Sequence, residues 1–203
     1  MVCLSLVATV GVSHGALDYL KGRAVLETYD RSQLKAFYGI YTTFAGAIIG
    51  LWYLSPAILL TVFLLLAAYH FGKEDAEFVS REQRGFGRVL YLSKGSAVIF
   101  APLVFHPQET EAIFQSLSVS VTELLSVHSC AFFLVLSLLS NVVLGRRCTR
   151  STTVLLMDFV SILILNWTLH PLLAFCAYFC FLHSVRHSLH FINKMEGRLT
   201  QRL

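Results

Sequence analysis

Long apolar stretches separated by short polar connections make up most of this chain. Seven of these stretches approach the ~20 residues that an α-helix needs to cross a bilayer. They cover residues 2–20, 34–54, 56–71, 89–105, 121–144, 153–169 and 171–192. The pattern therefore predicts an all-α fold, a polytopic transmembrane helix bundle of about seven helices, with residues 1–203 forming a single transmembrane domain.

Two of the predicted helices begin with proline. Ser55 precedes Pro56, and His170 precedes Pro171. Proline is favoured at the first position of a helix, and serine is favoured just before it because its side chain can accept a hydrogen bond from the first turn. We therefore expect the third and seventh helices to begin at these prolines, with Ser55 as an N-cap.

The basic residues indicate which helix ends share a side of the membrane. Fourteen of the sixteen Lys and Arg residues fall in alternate connections and in the C-terminal tail. Because basic residues accumulate in cytoplasmic loops, we expect a multi-pass protein of the cell (inner) membrane with its N-terminus outside and its C-terminus in the cytoplasm. The residues on the predicted cytoplasmic side are Lys21, Arg23, Arg31, Lys35, Lys73, Arg81, Arg84, Arg88, Arg146, Arg147, Arg150, Lys194, Arg198 and Arg202.

The composition excludes an ordinary soluble domain. Of the 203 residues, 56% are hydrophobic and 14% are charged. In soluble domains, about a quarter of all residues are charged. The net charge of +4 is explained by the orientation of the helices, so no nucleic-acid partner is expected. The five cysteines form no CxxC pair and are expected to be small buried residues. The lipid bilayer is the expected partner of the surface.

Four histidines from three predicted helices lie at a similar depth on the predicted cytoplasmic side. His14 lies in the first helix and His70 at the end of the third. His183 and His187 lie in the seventh helix, where His190 follows. At about 1.5 Å rise per residue, the first four fall within a band roughly 10 Å deep. Because polar side chains inside a membrane are costly and usually face the bundle interior, this cluster predicts a functional site.

The spacing of these histidines is compatible with a metal or haem site. His183 and His187 are four residues apart, so they project from one helical face with room for one ion between them. Neutral imidazoles bind iron, zinc, copper or nickel, and two of them are enough to bind haem. A carboxylate often holds the second nitrogen of a histidine ligand. The carboxylates on the same side are Asp18, Glu74, Asp75 and Asp158.

The other polar and aromatic residues in the helices have simpler interpretations. His106, His128 and His170 belong to the opposite side. His106 and His170 each precede a proline and are interpreted as helix caps or interfacial residues. A histidine inside a membrane protein also commonly connects two helices by a hydrogen bond. The aromatic residues of the seventh helix are interpreted as packing or lipid-facing side chains, which could also line a pocket for an apolar ligand; they are Phe175, Tyr178, Phe179 and Phe181.

Three motifs in the expected order show a resemblance to a known family. They are HGALD at residues 14–18, YHFGKED at residues 69–75 and YFCFLHSVRH at residues 178–187. The chain resembles the Brp/Blh family of membrane β-carotene 15,15′-dioxygenases, which have an HGALD-type motif, an HFG-x-x-D motif and a late H-S-x-R-H motif. A weaker block of likeness covers residues 94–107. The likeness thus extends over nearly the whole chain.

The resemblance implies an iron-dependent, carotenoid-cleaving dioxygenase. Such an enzyme cleaves the central double bond of β-carotene with O₂ and gives two molecules of retinal. A functional link to a retinal-binding rhodopsin is a further expectation of the resemblance. Carried over by motif, the ligands of a non-haem Fe(2+) ion would be His14, His70, His183 and His187.

The same motifs contain two carboxylates and one arginine. The resemblance places Asp18 and Asp75 at the acidic positions of the family, where we expect them to orient the histidines instead of binding the ion. Arg186 lies inside the last motif. We expect its side chain to reach the membrane interface or to pair with Asp18, Asp75 or Asp158.

Two other classes of function stay open from the residues alone. One is a non-catalytic membrane protein that binds or transports a metal ion or haem. In a transporter, Glu123 and His128 on the outer half would continue a path of polar residues for the ion across the membrane. The other is a structural protein whose buried polar residues connect helices. The histidine cluster lies on one side of the membrane, which favours a single binding site over a transport path across the membrane.

Overall fold

The computed structural model describes Ser5 and residues 30–79, 87–121, 125–146 and 149–189. These residues form helices and no strand. Six of the helices are long and apolar enough to cross a membrane, and α4 is the exception. The predicted all-α membrane bundle is therefore confirmed, whereas the first predicted helix, 2–20, lies outside the described residues apart from Ser5. The helices are α1 (Arg31–Leu54), α2 (Pro56–Glu77), α3 (Gly87–Phe105), α4 (Pro107–Ser116), α5 (Val127–Gly145), α6 (Thr149–Thr168) and α7 (Pro171–Leu189).

Helix α2 continues beyond its predicted end. The sequence predicts an end at residue 71, but the helix extends to Glu77. Lys73 and Glu77 form an ion pair one turn apart at 3.9 Å, and Asp75 is buried against neighbouring helices. The helix continues through these polar residues because they have partners. Glu74 and Asp75 therefore belong to the same helix as the histidine before them.

The short helix α4 is an element that the apolar pattern did not predict. Glu111 on this helix is buried. Its Oε1 accepts hydrogen bonds from Gln115 Nε2 at 3.0 Å and from Ser120 Oγ at 2.8 Å. Its Oε2 accepts the N–H of Val121 at 3.0 Å. The Glu111 carboxylate thus holds the segment after α4 against this helix. Ser118 in that segment adopts a positive φ of 61°.

Helix α5 begins later than predicted, at Val127 instead of residue 121. The side chain of Ser126 accepts a hydrogen bond from the N–H of Ser129 at 3.2 Å. This bond satisfies one of the donors that the first turn of a helix leaves without an intrahelical acceptor. The cap therefore fixes the start of α5.

The prolines begin their helices as the sequence predicts. Pro56 and Pro171 each occupy the first turn of a helix, after Ser55 and His170 respectively. His106 precedes α4 in the same way. All three preceding residues occupy N-cap positions, but their side chains make no capping hydrogen bond. The expected hydroxyl cap at Ser55 is therefore wrong, although its position is right.

Three clusters of buried apolar residues follow one another along the bundle. The outer cluster contains Leu60, Leu103, Val119, Val121 and Cys130. The middle cluster contains Phe71, Ala97, Ala101, Phe159, Ile162 and Tyr178. The basic-end cluster contains Ala76, Tyr91, Leu144 and Leu155. From the outer to the basic-end cluster, residue numbers rise along α2 and fall along α3, as expected for antiparallel neighbours.

A layer of buried polar residues lies between the middle and the basic-end clusters. We define this polar layer as Asp75, Lys94, Ser137, Asn141 and His183, all at most 4% exposed. Ser137 Oγ donates to the carbonyl oxygen of Lys94 at 2.8 Å and connects α5 to α3. Residues of the middle and the basic-end clusters lie within about one turn of Asp75 on α2 and of Lys94 on α3. The polar layer is therefore enclosed on both sides by apolar packing.

Helices α2 and α3 touch backbone to backbone at Gly72 and Gly95. A Cβ atom added to Gly72 would lie 1.8 Å from the carbonyl oxygen of Tyr91. One added to Gly95 would lie 1.8 Å from the carbonyl oxygen of Ala68. Small residues permit such close crossings in membrane bundles. The crossing brings the polar members of the two helices close together.

A Gly95→Ala substitution should destabilise the bundle. The new methyl group overlaps backbone atoms that cannot move independently, so we expect a loss of about 1–3 kcal/mol or more in the free energy of unfolding. The matched control is Gly46→Ala on α1, where an added Cβ meets nothing within 4 Å. Unfolding of the detergent-solubilised proteins measures both, and equal stability of the two variants contradicts the close crossing.

Candidate metal centre

Three of the four predicted ligands lie on two neighbouring helices. His70 is on α2, and His183 and His187 are on α7. The ring centroids of His70 and His183 are 5.3 Å apart, with the ring planes inclined at 67°. His183 is 0% exposed and His187 is buried, whereas His70 is exposed. The structure thus brings His70 and His183 next to each other.

The middle of α7 is a π-helix that runs from Tyr178 to His183. In a regular α-helix, residues five positions apart point about 140° away from each other. A π turn closes a hydrogen bond between residues i and i+5, which brings such residues to nearly the same face. As a consequence, Tyr178 and His183 both reach the carboxylate of Asp75 on α2.

Each oxygen of the Asp75 carboxylate has a partner on α7. The hydroxyl of Tyr178 donates to Oδ2 at 2.7 Å, and Nδ1 of His183 lies 3.1 Å from Oδ1. An ionised carboxylate only accepts hydrogen bonds, so the proton of a neutral His183 ring belongs on Nδ1. The Nε2 lone pair of His183 is then the one suited to a metal ion.

A second carboxylate–imidazole contact lies beside the first. Nδ1 of His187 is 3.1 Å from Oε2 of Glu74. Glu74 and Asp75 are consecutive on α2, and His183 and His187 are one turn apart on α7. The same reasoning assigns the proton of a neutral His187 ring to Nδ1. Both histidines of α7 therefore have the tautomer of a ligand that binds through Nε2.

Aromatic side chains surround His183. The ring of Phe71 packs edge-to-face against it with centroids 4.7 Å apart. Phe179 stacks on His183 at 5.9 Å, and Phe175 stacks on Phe179 at 5.9 Å. Phe175 is 42% exposed, so this stack extends from the buried imidazole to the surface of the bundle. Phe181, which is 60% exposed, does not take part.

Arg186 forms an ion pair with Asp158 on α6. One guanidinium nitrogen lies 2.6 Å from Oδ2 of Asp158, and the other contacts Oδ1. The guanidinium also lies over the ring of Phe78 at 5.9 Å. Among the partners that the sequence suggested, the structure thus selects Asp158, while Asp75 is engaged by His183 and Asp18 lies outside the described residues.

Part of the predicted ligand set is not described. His14, Asp18 and His190 lie outside the described residues. In the ranges 30–79, 87–121, 125–146 and 149–189, no three His, Cys, Asp or Glu side chains converge closely enough to hold a metal ion. The described residues are nevertheless suited to binding a metal ion, because Asp75 and Glu74 orient the neutral imidazoles of His183 and His187. The four-histidine site therefore stays a prediction.

The remaining histidines lie at the other end of the bundle. His106 separates α3 from α4, His170 precedes α7, and His128 is exposed in the first turn of α5. His106 Nδ1 lies 3.9 Å from a carboxylate oxygen of Glu109. These three histidines therefore lie away from the histidines of α2 and α7. The three cysteines that the structure describes, Cys130, Cys176 and Cys180, are buried, as expected.

Reasoning from the sequence missed two polar participants. Tyr178 was interpreted as a packing residue, but its hydroxyl binds Asp75. No spacing rule for a regular helix could have paired it with His183. Lys94 is buried in α3 at 4% exposure and within electrostatic range of Asp75. A lysine inside a predicted membrane helix is the signal that could have identified it.

Fold and site together define a polytopic membrane protein whose buried histidines are oriented by carboxylates. A family model described as "Beta-carotene 15,15'-dioxygenase" matches residues 5–203. The chain therefore belongs to the beta-carotene 15,15'-dioxygenase family, as the resemblance of its three motifs implies.

Two curated relatives are similar over most of the chain. The chain is 29% identical over 185 residues to a beta-carotene 15,15'-dioxygenase of uncultured marine bacterium 66A03, with 91% of this chain and 66% of that protein covered. It is 25% identical over 201 residues to the probable beta-carotene 15,15'-dioxygenase Blh of Halobacterium salinarum, with 87% of this chain and 57% of that protein covered. The chain thus spans less than two thirds of the length of either relative. No solved structure matches it.

An Asp158→Ala substitution should destabilise the bundle strongly. It leaves the largely buried Arg186 charge without its partner, for which we expect a loss of about 3–5 kcal/mol in the free energy of unfolding. Lys73→Ala, which breaks the more exposed pair with Glu77, is the control and should cost about 0.3–0.5 kcal/mol. Unfolding in detergent measures both. Similar losses in the two variants contradict a structural role for the Arg186–Asp158 pair.

Proposed function

We propose that this protein cleaves the central double bond of β-carotene with O₂ and releases two molecules of retinal, at an Fe(2+) ion bound by histidines. The observation that supports this proposal most directly is the pair of contacts of His183 with Asp75 and of His187 with Glu74. These contacts occur in a member of the beta-carotene 15,15'-dioxygenase family. The names of both relatives include the same reaction.

The proposed ligands are His14, His70, His183 and His187. Four neutral imidazoles suit Fe(2+) and leave coordination positions for a further small ligand. When bound, the iron would supply the activation of O₂. Among the described ligands, His70 and His183 are neighbours with ring centroids 5.3 Å apart, which supports a common site.

The carboxylates have the role of holding these ligands in place. Asp75 and Glu74 each accept the Nδ1 proton of one imidazole and so fix both its tautomer and its ring orientation. We propose the same role for Asp18 beside His14. Because the carboxylates hold the far nitrogens, they orient the rings without occupying the position of the ion.

The surroundings of His183 suit an apolar substrate. A long polyene dissolves in the hydrocarbon of a bilayer and can enter a membrane protein from the side. Phe175, Phe179 and Phe71 form an aromatic wall from the surface of the bundle to His183. We propose that this wall orients the polyene and excludes water from the reacting double bond.

The proposed setting follows from the substrate and the helices. A β-carotene-cleaving enzyme with six described candidate spans acts where its substrate is dissolved, and we propose the cell (inner) membrane. Its retinal product is the chromophore that a retinal-binding rhodopsin requires. We propose such a protein as a functional partner, with O₂ as the second substrate.

Production of retinal tests the proposal. We would express the chain in a bacterial strain that accumulates β-carotene and measure retinal by chromatography of the extracted pigments. The native chain should give retinal, and the His183→Ala, His187→Ala double variant should give none, because two of the four proposed ligands are lost. His128→Ala, at the opposite end of the bundle, is the matched control and should retain the activity.

The possible outcomes separate the classes of function. Apocarotenals shorter than retinal would keep the class of reaction and move the cleavage position. Unchanged β-carotene, with the protein present in the membrane, contradicts cleavage of this substrate. Bound metal or haem in such an inactive protein would then favour the non-catalytic binding or transport protein.

A further inference from the structure

We propose that Tyr178 is a positioning residue of the metal centre, which acts by holding the carboxylate of Asp75 in the orientation that fixes His183. This inference rests on the proposed function, because it assigns a role toward the proposed metal ion. Tyr178 itself does not approach the ion in this role. Its effect passes through Asp75 to the imidazole.

The contacts of Asp75 form a chain with one donor for each oxygen. The hydroxyl of Tyr178 donates to Oδ2 at 2.7 Å, and Nδ1–H of His183 donates to Oδ1 at 3.1 Å. All three residues are buried, with exposed fractions between 0% and 3%. A carboxylate held at one oxygen can still rotate about its side-chain bonds, whereas one held at both oxygens has a fixed plane. The hydroxyl of Tyr178 therefore determines where Oδ1 meets His183.

The π-helix is the backbone feature that makes this chain of contacts possible. Its first and last residues are Tyr178 and His183, the two donors to Asp75. π turns are rare and occur frequently at functional sites. In a regular α-helix the hydroxyl and the imidazole would point about 140° apart, and one carboxylate could not accept from both. The six residues of the π-helix thus coincide with the segment that the contacts require.

A residue on a third helix compensates the negative charge of the Asp75 carboxylate. Lys94 on α3 is buried at 4% exposure and lies within electrostatic range of Asp75. The Gly72–Gly95 crossing brings α3 this close to α2. An ionised carboxylate inside the bundle needs both hydrogen bonds and an opposite charge. Tyr178 supplies a hydrogen bond that Lys94 does not replace.

The hydroxyl of Tyr178 can be separated from its ring. The ring packs in the middle apolar cluster and meets Phe71 edge-to-face at 5.6 Å. A Tyr178→Phe substitution keeps this packing and removes only the donor to Asp75. Tyr91→Phe provides a matched control, since Tyr91 is also buried, at 2% exposure, and has no contact with Asp75 in the described hydrogen bonds.

The test measures metal affinity in addition to activity. The purified metal-free proteins are titrated with Co(II), whose visible spectrum reports both binding and ligand geometry. We expect Y178F to bind Co(II) about tenfold more weakly than the native protein, with an altered spectrum, because loss of a group that orients a ligand typically costs 10–100-fold in affinity. Y91F should bind as the native protein does.

A double-mutant cycle with Asp75 distinguishes positioning from simple packing. If Tyr178 acts through the carboxylate, Y178F should cause no further loss of affinity in an Asp75→Asn background. Equal, additive losses in both backgrounds overturn the inference. If the Asp75→Asn protein does not accumulate, the single variants decide, because native-like affinity of Y178F also overturns it.

The outcomes separate this inference from the proposed function. A native protein that binds no Co(II) contradicts the proposed metal site, and the positioning role falls with it. A native protein that binds Co(II) and produces retinal, with a Y178F variant of equal affinity, overturns the positioning role alone. Weaker binding by Y178F, with native-like binding by Y91F, supports both.

Discussion

The arrangement of α2, α3 and α7 depends on a buried carboxylate, Asp75, in the interior of a membrane protein. Its side chain is 1% exposed, and an ionised group at that position is tolerated only where hydrogen bonds and an opposite charge replace its water. The partners are Tyr178 and His183 from α7 and Lys94 from α3. Because they come from two different helices, satisfying this one carboxylate fixes the relative positions of three helices.

Other local features of the bundle serve the same requirement. The extension of α2 to Glu77 places Asp75 in a helix, and the contact at Gly72 and Gly95 brings α3 close enough to compensate its charge. The Arg186–Asp158 ion pair, which is largely buried, joins α7 to α6. The buried charged residues of α2, α3, α6 and α7 therefore lie toward the basic end of the bundle, whereas Glu111 of α4 is buried at the other end. The outer cluster consists of buried apolar side chains.

Much of this architecture could be predicted from the sequence, because membrane helices are identified by the length and hydropathy of a single segment. Six predicted spans agree with described helices within several residues, and the prolines at positions 56 and 171 begin their helices as expected. The pattern failed where a polar or short segment depends on distant partners. Helix α4 is too short to be recognised by hydropathy, and the end of α2 depends on contacts with α3 and α7. The motifs also identified the family, which the family match confirms.

By itself, the sequence determined the all-α class, the approximate spans and the identity of the candidate ligands, since hydropathy and motif order are properties of the chain alone. It identified Asp75 as a candidate partner of a histidine, but not which histidine. Only the tertiary structure decided that Asp75 meets His183, that Glu74 meets His187 and that Arg186 selects Asp158. The physical reason is that these pairs join residues far apart in the chain, and their geometry depends on a π-helix that changes which side chains of α7 share a face. Helical periodicity read from a sequence assumes a regular turn, and at this site the turn is not regular.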